Sequence, residues 1–138
     1  MSRMVFAAWI RGVCLVMACT VASPVLANEV EIVKTRFEKY GNTWTVDTTL
    51  RHNDTGWDHY ADKWRVVDQH GRVLGERVLL HPHENEQPFT RSESGIEIPD
   101  TTNIVYVEAH DKVHGWSRQR VRVDLHRKKG DRYSVIRP

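Results

Sequence analysis

Thr43-Trp44-Thr45-Val46-Asp47-Thr48-Thr49-Leu50-Arg51 is the stretch that decides the fold class. Trp44, Val46, Thr48 and Leu50 alternate with Thr45, Asp47, Thr49 and Arg51. A period of two puts the first set on one face of an extended chain and the second on the other, the pattern of a half-buried β-strand. Working outward, Tyr40-Gly41-Asn42-Thr43 reads as a turn, and Val30 to Glu38 is a β-rich run before it. On the other side a polar loop runs from His52 to His59, and Tyr60 to Val67 is a further strand with Trp64 at its centre. Asp68-Gln69-His70-Gly71 is a hairpin turn, and Arg72 to Leu80 returns, with Gly75 expected at a bulge.

The same rhythm continues. A loop from His81 to about Thr90 contains Pro82 and Pro88, Ser92 to Ile98 is a short strand, and Pro99-Asp100-Thr101-Thr102 turns the chain. Ile104 to Ala109 is strongly β-like, His110 to Trp116 is a loop, and Gln119, Val121, Val123 and Leu125 alternate with Arg120, Arg122 and Asp124. Helical periodicity is weak throughout. The spacing predicts an all-β chain: a single antiparallel β-sandwich of about seven strands with Greek-key connections. A small closed β-barrel is the alternative. The expected organisation is a leader over 1–27, the sandwich over 28–126, and a poorly ordered basic tail over 127–138 with one short β stretch at 133–136.

Residues 1–27 carry the marks of a secretory signal peptide. Arg3 and Arg11 are basic, Gly12 to Val21 is apolar but too short to span a bilayer, and Val25-Leu26-Ala27 offers a cleavage site before Asn28. The expected location is periplasmic or secreted. Val16-Met17-Ala18-Cys19 is a loose lipobox, which makes a lipoprotein anchored at Cys19 the alternative. Both cysteines, Cys14 and Cys19, belong to the leader, so the remaining chain offers no disulfide, thiolate ligand or cysteine nucleophile. Arg3 and Arg11 also account for the whole excess of 20 Lys plus Arg over 18 Asp plus Glu. Without them the chain is formally neutral, which removes the main electrostatic argument for nucleic-acid binding. No later segment is long and apolar enough for a transmembrane helix. One local bias remains: Arg118, Arg120, Arg122, Arg127, Lys128, Lys129, Arg132 and Arg137 face only Asp124 and Asp131. It reads as a solvated edge and tail in which charge discourages edge-to-edge pairing.

Successive antiparallel strands place alternate connections at opposite ends of a sandwich. One end then holds the three plain turns. The other holds His52, Asp54, Asp58 and His59, then His81, His83 and Glu86, then His110, Asp111 and His114. Six of the eight histidines converge on that end. Neutral imidazole is the commonest protein metal ligand, and borderline ions such as zinc or copper accept it well. His81 and His83, flanking Pro82, are the expected first ligands, with His52, His59, His110 or His114 completing the site. Asp54, Asp58, Glu86 and Asp111 are the carboxylates that would support it. A loop end held together only by its own His, Asp and Trp contacts is the competing reading. Trp57 and Trp116, if exposed, would instead stack on a saccharide, and a protein partner could use the same surface. Arg91 is expected to pair with a loop Asp. No HExxH or GxSxG spacing occurs, and a sandwich of this size offers little cleft for paired carboxylates, so an enzyme is not expected.

Thr55-Gly56-Trp57-Asp58-His59-Tyr60-Ala61-Asp62, Leu79-Leu80-His81-Pro82-His83 and Glu86-Gln87-Pro88-Phe89-Thr90-Arg91-Ser92 resemble segments of a family of small bacterial exported proteins. The resemblance implies a periplasmic location and carries over no catalytic or binding residue. The strand spacing is similar to that of fibronectin type III and immunoglobulin-like domains, with Trp64 in the place of their core tryptophan and without the cysteine pair of true immunoglobulin domains.

Overall fold

The computed structural model describes residues 28–138. The leader, its cleavage site and Cys19 lie outside the described residues. The elements are β1 (Glu31–Tyr40), β2 (Thr43–Arg51), β3 (Ala61–Asp68), β4 (Val73–Val78), β5 (Phe89–Ile96), β6 (Ile104–Asp111), β7 (Gly115–Trp116), β8 (Val121–Asp124), β9 (Lys129–Gly130) and β10 (Tyr133–Ile136). The described residues contain no helix. One sheet has the order β5-β2-β1-β10-β9; the other runs β4-β3-β6-β7, with β8 also paired to β6. The two sheets stay open at their edges, so the molecule is a β-sandwich and the closed barrel is set aside. The fourth strand remains beside the third. In constant-type immunoglobulin domains it joins the sheet of the first strand instead.

The alternation in β2 becomes burial. Trp44, Val46, Thr48 and Leu50 are buried against β1 and the facing sheet. Phe37, Ile32, Val66, Val105, Val107 and Val123 fill the space between the layers around Trp64, which is fully buried. Each large apolar side chain so buried contributes about 1.5 to 3 kcal/mol relative to exposure, and this core carries the fold without a disulfide. Gly75 lies where β4 slips register against β3, as expected for a bulge. A Cβ there would sit 2.8 Å from the Ile96 side chain, so this position also lets β4 pack closely on the opposite sheet.

The C-terminal segment corrects the expectation of a tail. β10 pairs in parallel with β1, from Thr35–Tyr133 to Glu38–Ile136, and Val135 enters the core. The β stretch at 133–136 is present, but as a strand of the sheet. Most of the basic run is engaged internally. Arg132 donates to Glu31 Oε1 at 3.1 Å and to the Ile32 carbonyl at 3.0 Å. Arg137 donates to the Leu125 carbonyl, Arg127 pairs with Asp124, and Arg120 lies over the Tyr106 ring. Gln119 donates to the carbonyl of Ile32 and accepts from its amide, satisfying β1 where its register with β2 shifts. The charges that suggested a solvated tail hold this edge together.

Candidate metal centre

Three connections meet at one end of the sandwich, as the alternation of strands requires. They are the β2–β3 loop, the β4–β5 loop and the β6–β7 turn. Asp54, in the first of them, joins two of the three. Its Oδ1 accepts from the Ala61 amide at 3.0 Å and from His52 Nδ1 at 2.5 Å, and its Oδ2 accepts from the His83 amide at 2.7 Å. Both Asp54 and His52 side chains are fully buried. Burial alone would raise the Asp54 pKa, but the bonds from His52, His83 and Ala61 hold it below the usual carboxylate value.

His52 is held between two acceptors. Nδ1 faces Asp54, and Nε2 lies 2.9 Å from the carbonyl of Asn28. Burial works to lower its pKa. The hydrogen bonds to Asp54 and Asn28, with the charges of Asp54 and Asp111, prevail and hold it above the ordinary histidine value. Both ring nitrogens thus face acceptors, an arrangement that favours the imidazolium form.

Asp111, also fully buried, ends β6 and folds the following turn around itself. Its Oδ1 accepts the amides of Val113 at 2.9 Å and His114 at 2.7 Å, and His114 Nδ1 at 3.1 Å. His59 Nε2 approaches the same oxygen at 3.3 Å, and His52 Nε2 lies 3.9 Å from Oδ2. His52, His59 and Asp111 thus bring one ligand atom each to within 4.8 Å of one another. The rings of His59 and His114 are 5.0 Å apart, and those of His52 and His59 4.9 Å. Two atoms of this group, His59 Nε2 and Asp111 Oδ2, are buried without a hydrogen-bond partner. Ligands on a tetrahedral zinc lie about 3.3 Å from each other, given bonds near 2.0 to 2.1 Å. The His59–Asp111 distance already meets that spacing, and the His52–Asp111 distance needs a closure of roughly half an ångström.

The remaining expected site residues divide among other neighbourhoods. His81 and His83, expected to lead the ligand set, stand outside the group. His83 stacks flat on Phe89 with ring centroids 3.9 Å apart, and its Nε2 accepts from Arg91 at 2.9 Å. Burial, the Arg91 cation and His81 together hold its pKa below the ordinary histidine value. His81 is exposed, and its Nδ1 lies 2.9 Å from the Pro82 carbonyl. His110 is paired with Asp62 at 2.5 Å and packs edge-on against Trp116. Of the expected carboxylates, Asp54 and Asp111 take part. Asp58 is exposed, and Glu86 pairs with Arg91 at 3.4 Å instead. The indole of Trp116 lies under the Arg65 guanidinium, 3.6 Å from the ring centroid. Trp57 remains 64% exposed.

Sequence reasoning missed Asp62 and the Asn28 carbonyl. Asp62 had a signal. It lies beside Lys63, the residue that registers with His110 across the β3–β6 ladder. A main-chain carbonyl from the other end of the described chain leaves no trace in residue types.

Over 84 residues, 61% of this chain, the sequence is 46% identical to a protein of Halomicrobium mukohataei named "Putative lipoprotein". The match covers 41% of that relative, so the chain spans less than half its length. The chain matches no family model, and no solved structure matches it.

Proposed function

We propose that this protein is an exported β-sandwich that binds a divalent transition metal at its loop end and acts as a binding protein rather than an enzyme. The ligands are His52, His59 and Asp111, with His114 beside them on Asp111 and Asp54 orienting His52 from behind. Export is supported by the leader pattern and by the relative whose name is that of a lipoprotein. One observation carries the metal: His59 Nε2, which lies 3.3 Å from Asp111 Oδ1, and Asp111 Oδ2 are both buried, and neither has a hydrogen-bond partner among the described residues. A buried carboxylate oxygen with no donor costs about 1 to 3 kcal/mol or more, and a cation between the two atoms would satisfy both. The donor set of imidazoles and one carboxylate suits zinc or copper. The contact from Asp54 to His52 Nδ1 is the carboxylate–histidine arrangement that commonly backs a metal ligand. His52 joins the metal by releasing the Asn28 carbonyl from Nε2 and giving up that proton.

Titration calorimetry with Zn²⁺ and Cu²⁺ tests this. Binding with one equivalent in the micromolar range or tighter is expected, weakened strongly in His59→Ala and unaffected in His126→Ala at the opposite end. Affinity no tighter than about millimolar, roughly 4 kcal/mol, for either ion would sink the proposal.

A further inference from the structure

Beside the histidine cluster, the β2–β3 and β4–β5 loops border a shallow, open groove of about 490 Å³, lined by Trp57, Pro82, Glu84, Asn85 and Glu86 with His81 and His83. That size falls within the roughly 300 to 1,000 Å³ of small-ligand clefts. Trp57 is 64% exposed, yet the turn that carries it is fixed. Gly56 adopts a φ of 139°, and the turn closes through Thr55 N to the His59 carbonyl at 3.0 Å and His59 N to the Gly56 carbonyl at 3.2 Å. The indole then meets the buried Tyr60 edge-on, with centroids 5.8 Å apart and planes at 77°. Lys112 lies over that tyrosine ring at 5.1 Å, which further holds the support in place. An apolar ring that is presented to water and held in one orientation has lost its conformational freedom before any ligand arrives, which favours binding.

The polar side of the groove has a matching composition. Glu84 reaches back to the Trp57 turn, its Oε1 lying 3.5 Å from where a Cβ on Gly56 would stand. Asn85 supplies both donors and acceptors. Glu86 is already paired with Arg91, so it adds little negative charge. A groove with one unpaired carboxylate and one amide is not the acidic cage a cation requires. It suits a neutral ligand that has one flat apolar face and several hydroxyl groups. Trp116 makes the contrast, because its ring face is occupied by Arg65.

We propose that this groove is a saccharide subsite, in which the Trp57 indole stacks on the apolar face of a pyranose ring while Glu84 and Asn85 bond its hydroxyls. The groove adjoins the metal centre through the Gly56–His59 turn, but Trp57, Glu84 and Asn85 are not among the proposed ligands. The test follows the Trp57 indole Nε1–H resonance by NMR as maltotriose, cellotriose and chitotriose are added to the metal-free protein. At least one of the three shifts this resonance saturably. Trp57→Ala lowers the affinity by about tenfold or more, the loss of one stacked ring, and Trp57→Phe restores part of it. Unchanged thermal unfolding of Trp57→Ala shows that the loss is not one of folding. Three outcomes overturn the proposal: no shift with any of the three sugars, sugar binding that survives Trp57→Ala, or saturation by choline or lysine in place of the sugars.

Discussion

Asp54 and Asp68 do the same local job at opposite ends of the sandwich. Each accepts two backbone amides, Asp68 within its own hairpin turn and Asp54 from the start of β3 and from the β4–β5 loop. Asp68 takes those of His70 and Arg72, and Asp54 those of Ala61 and His83. Each carboxyl is held below its ordinary pKa, Asp68 chiefly by the Arg72 amide and Asp54 by bonds that outweigh its burial. The difference is water. Asp68 closes a solvated hairpin turn, whereas Asp54 has no solvent exposure and must be matched by a buried cation, His52. The comparison shows why only one end can carry chemistry. In water a carboxylate loses little by lacking a partner. Away from water every missing partner has a cost, and three side-chain atoms of the loop end, His59 Nε2, His83 Nδ1 and Asp111 Oδ2, still lack one among the described residues.

The strongest way to break the comparison is Asp54→Ala. It removes the acceptor of two buried amides and leaves His52 as an unpaired buried cation. A loss of about 3 to 5 kcal/mol is expected, read as a lower midpoint in urea unfolding. A loss below roughly 1 kcal/mol would mean that the loop end is held by something else.

Asp111→Asn sharpens it by separating architecture from binding. The amide oxygen can still accept Val113 and His114, so the turn persists, but the ligand charge is gone. Zinc affinity is expected to fall by roughly a hundredfold, about 3 kcal/mol, with little change in the unfolding midpoint of the metal-free protein. An equal loss of stability and affinity would make Asp111 a structural residue alone.

His83→Gln addresses pH. The folded pKa of His83 is lowered by burial and by Arg91. The unfolded chain therefore takes up a proton as pH falls below about 6.5, while the folded protein resists it. The stability that depends on neutral His83 is present above that pH and lost as pH falls toward the lowered value. One proton corresponds to a slope of at most about 1.4 kcal/mol per pH unit. In metal-free protein the acid-side slope should be smaller in His83→Gln than in the parent, and an unchanged slope would exclude His83 as its source. The smallest effect is expected from Asp68→Ala. It loosens an exposed turn and should shift the urea midpoint far less than Asp54→Ala, with metal affinity unchanged.

Much of the fold was legible because alternation is a local property. Trp44, Val46, Thr48 and Leu50 had to share a face once β2 was extended, and that face could only be the inner one. The convergence of three loops followed from strand reversal, and it placed His52, His59, Asp111 and His114 at one end. Which of those residues would meet was not legible. His81 and His83 look like a pair in the sequence, but Phe89 and Arg91 claim His83 from β5. His110, on the last turns of β6, points to Asp62 and Trp116. The tail was misjudged for a similar reason: a run of basic residues reads as solvated until Glu31 and main-chain carbonyls are seen beside it.

The sequence by itself determined an all-β chain, the two unequal ends, and an export leader pattern that contains both cysteines. Only the tertiary structure decided that Asp111 and His59 each keep an unsatisfied buried atom, that His52 lies buried between two acceptors, and that Trp57 is exposed where Trp116 is covered. The physical reason is that strand patterning depends on neighbours two residues away. Protonation, ligation and exposure depend on atoms a few ångströms apart in space, which here come from loops as distant in sequence as Asn28, His52 and Asp111.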